Sequence, residues 1–207
     1  MRSLAASTEP LWPGAPVAAE VLHAPLTALG PTEVFVFGSN RDGFHGAGSA
    51  GLACRGDASN TWRRDPWFRR AMAAPAGTAE RIGNWAVFGV SRGYQVGRTG
   101  RSYAVQTIER PGAHCSTSLR EIYWQLVRLV AFARSRPDDT FVVTPLGERY
   151  SGYSRKEMAA VWCELHRREG FPPNLRFVRL AGAGTCSKHC MARWRMATSR
   201  SRGGTFR

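Results

Sequence analysis

The stretch from Glu33 to Gly51 constrains the fold most, because it passes from a strand through a glycine-rich loop into a helix. Its first part, Glu33-Val-Phe-Val-Phe-Gly38, is a short run of β-branched and aromatic residues that ends at a turn signal. Glycines recur from Gly38 to Gly51, and a short helix is predicted around Ala50–Arg55. Glycine permits positive φ and close approach of a ligand, while free backbone N–H groups attract anions. The stretch therefore predicts a phosphate-binding loop.

Two longer helices are predicted from capping signals and apolar spacing. Residues 117–134 contain Ser118 and Glu121 at capping-box spacing, followed by an apolar stripe with helical period. The same box recurs at Ser154 and Glu157, and the apolar positions after it continue to about residue 168. These helices separate the predicted strands and so indicate an α/β fold.

Four further strands are predicted from short apolar or alternating runs, at residues 84–90, 102–107, 140–145 and 174–180. Strands that alternate with helices favour a mainly parallel or mixed sheet that is covered on both faces. Ligands of such sheets bind beyond the carboxyl ends of the strands. Both glycine loops are expected at that edge.

The second glycine loop, Pro145-Leu-Gly-Glu-Arg-Tyr-Ser-Gly-Tyr153, follows the strand predicted at 140–145. Because each of the two glycine loops follows a separate strand, the two loops are predicted to close on opposite sides of one diphosphate. Arg149 then neutralises charge, and Tyr150 or Tyr153 stacks on a base or ribose. In the alternative reading the glycines only make turns, the tyrosines pack on the domain, and Arg149 is solvated.

The segments FVFGSNRDGFHGAGSAGLA, SYAVQT and FVVTPLGERYSGYS, in this order within residues 33–180, resemble macro-type ADP-ribose-binding domains. They are most similar to the small phage and bacterial macro-like proteins. The resemblance implies a three-layer α/β/α domain with a mainly mixed sheet. It also implies that Asn40 lies near the distal ribose and that the second loop wraps the phosphates.

The loops and the resemblance together predict a set of ligand-binding residues in four short segments. The set is Gly38, Ser39, Asn40, Gly43, Gly46, Ala47, Gly48, Thr107, Gly147, Glu148, Arg149, Tyr150, Ser151, Gly152 and Tyr153. The resemblance implies ADP-ribose or a related nucleotide as the ligand, and no cofactor is expected.

Catalysis is a separate hypothesis, namely hydrolysis of an ADP-ribosyl linkage with Asn40, His45 and Glu148 as the catalytic residues. His45 or Glu148 would act as general base on an oriented water. The macro branch that uses a covalent lysine has that lysine after the threonine of the middle strand, where this chain has Ile108. Ser151 or Gly152 stands where that branch has an aspartate. Lysine chemistry is therefore not expected, and a protein that sequesters a nucleotide without turnover is an alternative.

The chain carries a formal charge of +14, and its arginines suggest a rival function. Residues 1–32 are predicted to form a flexible arm, residues 33–180 the domain, and residues 181–207 a disordered basic tail. The tail, together with arginines around Trp62 and Trp67, predicts an accessory protein that binds nucleic-acid backbone non-specifically. The alternative is a solvated tail and tryptophans that anchor an insertion to the core.

Several other classes are disfavoured. The five cysteines form an odd set at irregular spacing, which argues against a disulfide framework. Cys186, His189 and Cys190, with His114 and Cys115, have side chains that can bind zinc, but C-x3-C is not a recurrent zinc spacing, so no metal site is predicted. No apolar run approaches the roughly 20 residues that span a bilayer. A cytoplasmic protein without a membrane partner is expected.

Overall fold

The computed structural model describes residues 5–10, 18–22 and 26–180. They form a seven-stranded sheet in the order β1-β2-β7-β6-β3-β5-β4. The strands are β1 (Ala5–Pro10), β2 (Ala18–Leu22), β3 (Glu33–Asn40), β4 (Gly93–Val96), β5 (Arg101–Ile108), β6 (Thr140–Val143) and β7 (Leu175–Leu180). The five inner strands are parallel, and β1 and β4 pair antiparallel at the two edges.

Strand β3 lies at the centre of the domain and is buried on both faces. Val34 and Val36 belong to one apolar core, and Phe35 and Phe37 belong to the other. This division follows from the two-residue side-chain period of a strand. The apolar run that predicted a buried strand is therefore explained by two cores, one on each face of the sheet.

Helices cover both faces. The helices α1 (Gly48–Arg55) and α2 (Pro66–Ala73) pack on the Phe35 face, and α3 (Leu119–Arg134) and α4 (Arg155–Glu169) pack on the Val34 face. The predicted three-layer α/β/α fold with a mixed sheet is confirmed. No helix in the described ranges is long and apolar enough to span a membrane.

Both predicted capping boxes are present. The Ser118 hydroxyl accepts from the Glu121 N–H, and the Glu121 carboxylate accepts from the Ser118 N–H; Ser154 and Glu157 repeat the arrangement. Each box satisfies two backbone donors that have no acceptor inside the helix. The observed helices consequently begin directly after the two serines.

The strand predicted at residues 84–90 is wrong. This segment is irregular apart from a single bridge between Ile82 and Val87, and the strand that pairs with β5 is β4 at Gly93–Val96. The N–H groups of Asn84 and Trp85 donate to the carbonyls of Cys54 and Ala53 at the end of α1. The apolar residues of the segment are therefore core residues held by a helix end rather than by a strand neighbour.

The segment predicted as an N-terminal arm contains β1 and β2, and β2 pairs parallel with β7. Leu26, which follows them, is buried in the core that contains Phe35. The bounds proposed for the domain stay a prediction. The basic tail at 181–207, with Cys186, His189 and Cys190, lies outside the described residues.

Candidate functional site

The two glycine loops lie at the same edge of the sheet because the strands before them, β3 and β6, are parallel neighbours. The first loop comprises residues 41–47 and leads into α1, and the second comprises residues 144–153 and leads into α4. They approach each other where a Cβ placed on Gly48 would be 3.3 Å from Cε2 of Tyr150. A cleft of about 500 Å³ lies between the two loops.

Many of the predicted ligand residues line this cleft. They are Gly38, Ser39, Asn40, Gly46, Ala47, Gly48, Thr107, Gly147, Glu148, Tyr150 and Ser151. Further walls that the sequence did not predict come from the segment between α1 and α2, with Asn60, Trp62 and Arg63, and from the turn after β5, with Pro111 and Gly112. Trp62 belongs to the cluster of tryptophans and arginines in the sequence, but no local signal connects it with the first loop.

The first loop ends in an uncapped helix N-terminus. Ala47 is the N-cap of α1 and offers no side-chain acceptor, and the Gly48 N–H donates to the Ala58 carbonyl at 2.8 Å. Among the described residues, the N–H groups of Ser49 and Ala50 have no acceptor. Unused N–H groups at a helix start, with the positive end of the helix dipole, attract an anion.

The second loop also has backbone N–H groups without an acceptor among the described residues. Gly147 has φ of 72°, and a Cβ there would be 2.5 Å from the Met158 sulfur, so the loop requires glycine at this position. The Tyr153 N–H closes the loop by donating to the Gly147 carbonyl at 3.1 Å. The N–H groups of Gly147 and Glu148 donate to no acceptor within the described ranges.

A buried hydroxyl pair fixes the second loop to the sheet. Thr107, in β5, and Ser151 are both nearly inaccessible, and their Oγ atoms lie 2.7 Å apart. Gly38 lies against Thr107, since a Cβ on this glycine would be 3.1 Å from the threonine Oγ1. The floor of the cleft is therefore tightly packed backbone and small side chains.

Asn40 closes the first loop with its own amide. Its Nδ2 donates to the Phe44 carbonyl at 2.7 Å, and its Oδ1 accepts from the Phe44 N–H at 2.9 Å. The residue lines the cleft, but both ends of its amide are already used. The structure thus gives Asn40 a loop-shaping role in addition to the ribose contact that the resemblance implies.

His45 lies outside the cleft. The imidazole has no exposed surface, its Nε2 donates to the Val90 carbonyl at 3.1 Å, and its ring packs edge-on against Phe37. Burial lowers the pKa of His45 from 6.5 to about 4. A group so enclosed cannot reach a substrate in the cleft, so of the two candidate bases Glu148 alone lies on it.

Acid should destabilise the protein through His45. The unfolded chain, with the higher pKa, takes up the proton first, so the stability from the neutral imidazole is complete above pH 6.5 and is lost as the pH falls through about 4. Between pH 7 and 5, the unfolding free energy should fall by about 2 kcal/mol more than in a His45→Gln variant. Urea titrations at the two pH values measure the difference, and parallel losses in the two proteins would contradict it.

Glu148 is the candidate catalytic residue whose carboxylate borders the cleft. Its Oε2 lies 3.5 Å from Nε of Arg155, at the start of α4. The Glu148 side chain is 21% exposed, so water can reach its carboxylate. Of the two candidate general bases, His45 and Glu148, only Glu148 lines the cleft.

Three other predicted ligand residues do not line the cleft. Gly43 packs against the backbone of Gly89, and a Cβ on Gly152 would be 2.7 Å from Cβ of His114. Tyr153 is 9% exposed, and its hydroxyl donates to the Thr117 carbonyl at 2.5 Å. Gly43, Gly152 and Tyr153 therefore shape the loops from behind. The backbone of Arg149 lies in the short 3-10 helix Arg149–Ser151.

Fold and site together define a three-layer α/β domain with a cleft between two glycine loops at the carboxyl edge of its sheet. No protein-family model and no curated protein matches the chain. Among solved structures the chain is similar to the macrodomain of Mycobacterium tuberculosis DarG, at 16% identity and a TM-score of 0.43, with 80% of this chain and 99% of that chain covered. At this identity and score the similarity carries no functional argument.

Proposed function

We propose that the cleft binds ADP-ribose or a related nucleotide and that the two glycine loops hold its diphosphate. The observation that carries the proposal is the approach of Gly48 and Tyr150, with unused N–H groups on each side of the gap between the loops. Ser49 and Ala50 supply donors from one side, and Gly147 and Glu148 supply donors from the other. A diphosphate offers acceptors to both sets at once.

The size and lining of the cleft agree with a ligand of this class. Small-molecule sites usually occupy about 300–1,000 Å³, and this cleft has about 500 Å³. Phe44 and Trp62 give it apolar walls, while Asn60 and Arg63 add donors away from the loops. The sequence resemblance to macro-type domains favours ADP-ribose among the nucleotides.

Titration calorimetry of the intact chain with ADP-ribose tests the proposal. A Gly48→Glu variant should lose at least about tenfold in affinity, because its side chain must enter the gap beside Tyr150 and its carboxylate repels phosphate. Adenosine, which lacks phosphate, should bind more weakly than ADP-ribose to the unchanged protein.

The matched control is Gly77→Glu. Gly77 also has positive φ, at 80°, but a Cβ there has nothing within 4 Å, so this variant carries the same charge and backbone strain at a position that does not line the cleft. Binding should be retained in the control. If the two variants gave equal heats of ADP-ribose binding, whether as large as in the unchanged protein or absent, the cleft would be excluded as the binding site.

Hydrolysis of an ADP-ribosyl linkage, if the cleft supports it, would depend on Glu148. A Glu148→Gln variant should retain ADP-ribose binding and release no ADP-ribose from an ADP-ribosylated peptide, as followed by mass spectrometry. Absence of release from the unchanged protein, with binding intact, would favour sequestration of the nucleotide over turnover.

A further inference from the structure

A second groove adjoins the cleft and shares two wall residues with it. The groove has a volume of about 440 Å³ and is lined by Trp62, Arg63, Arg69, Met72 and Ala73. Trp62 and Arg63 also line the first cleft. A ligand seated between the glycine loops therefore lies next to a continuous surface formed by the 3-10 helix Trp62–Arg64 and α2.

The surface carries positive charge without compensation. Its four arginines, Arg63, Arg64, Arg69 and Arg70, are all exposed, and in the described part of the chain none forms an ion pair. The one acid among residues 62–73, Asp65, lies 3.3 Å from Arg55 and caps α2 through the Phe68 N–H. The local field therefore attracts anions.

The groove also offers flat and apolar surface beside the charge. The Trp62 indole is held edge-on by Phe44, with ring centroids 4.8 Å apart, and the Arg63 guanidinium lies 4.7 Å from the indole centroid. Met72 is 45% exposed in the same groove. Unpaired arginines interleaved with an indole are the combination that holds stacked bases and phosphates of single strands.

We propose that this groove binds a single-stranded nucleic acid, with phosphates at Arg63 and Arg69 and base faces against Trp62 and Met72. The arginines alone would also suit an acidic peptide, but such a peptide makes no use of the indole and the thioether beside them. A rigid duplex keeps its base faces stacked inside, so it too leaves this surface without a partner.

Fluorescence anisotropy of the full chain with a labelled oligothymidylate of about 20 nucleotides tests the proposal. The double variant Arg63→Gln/Arg69→Gln should bind at least about tenfold more weakly, and the slope of log K against log salt should fall by about 1.4, the value expected for two lost phosphate contacts. Arg120→Gln/Arg128→Gln, which removes two exposed arginines from α3 on the other face of the sheet, should change the affinity less than about twofold.

The control carries the same basic tail, so it separates the groove from residues 181–207. Equal loss in both double variants, or tighter binding of polyglutamate or duplex DNA than of the single strand, would overturn the proposal. Arg69 lines only the second groove, so Arg69→Gln should weaken oligonucleotide binding and leave ADP-ribose titration unchanged. Loss of oligonucleotide binding can thus be distinguished from loss of ADP-ribose binding.

Discussion

A Gly43→Ala variant is expected to lose more than about 4 kcal/mol of unfolding free energy, which approaches the whole stability of an ordinary domain. Gly43 has φ of 63°, and an added Cβ would lie 2.4 Å from the carbonyl carbon of Gly89 and 2.5 Å from the nitrogen of Val90. Both contacts are with backbone, so no side-chain rotation relieves them. Separation of the segments would also break the hydrogen bonds from Gly89 N–H to Gly43 and from His45 to Val90.

The matched control for this prediction is Gly77→Ala. Gly77 has φ of 80° and no atom within 4 Å of an added Cβ, so its variant measures the cost of the left-handed conformation alone, about 1–2 kcal/mol. Urea unfolding followed by circular dichroism compares the two proteins. Equal urea midpoints would show that the backbone contact at Gly43 contributes nothing.

An Arg55→Met variant is expected to lose about 3 kcal/mol of unfolding free energy. The Arg55 side chain is 2% exposed, and it lies 3.3 Å from the carboxylates of Asp57 and Asp65. It also donates to the carbonyls of Gly46, Asp57 and Ser59 at 3.2, 3.0 and 2.7 Å. Methionine fills the space of the aliphatic stem but leaves these acceptors without a donor.

If the cleft binds ADP-ribose as proposed, the same change should weaken that binding, because Arg55 holds the first loop through a hydrogen bond to the Gly46 carbonyl. Arg41→Met is the control, since the Arg41 side chain is 73% exposed and pairs only at the surface with Glu109. The Arg41→Met variant should lose less than about 1 kcal/mol of unfolding free energy. Comparable losses in the two variants, measured by urea unfolding, would show that the buried guanidinium does not organise the loop.

The features that could be predicted from sequence depend on residues close together in the chain. Both capping boxes depend on a serine and a glutamate three positions apart, and β3 depends on an uninterrupted run of branched and aromatic residues. The expectation that two glycine loops meet also follows from local signals, once parallel strands place their carboxyl ends at one edge.

The features that could not be predicted depend on distant partners. Residues 84–90 have the composition of a strand, but the N–H groups of Asn84 and Trp85 find their acceptors at the end of α1, about thirty residues earlier. His45 has the sequence position of a ligand residue, whereas Phe37 and Val90 enclose it. Trp62 reaches the cleft because the Arg55 network folds its segment back over the first loop.

The two loops follow β3 and β6, which are hydrogen-bonded neighbours, and this arrangement affects how the cleft selects its ligand. Two loops that are attached to adjacent strands of one sheet have no hinge between them. The backbones of the ligand-free and ligand-bound protein should therefore superimpose closely. Binding of a ligand then costs little conformational entropy, because the loops are already ordered. Selectivity among related ligands must consequently arise from side chains at the rim of the cleft, above all Tyr150 and Trp62, rather than from how far the two loops close on the ligand.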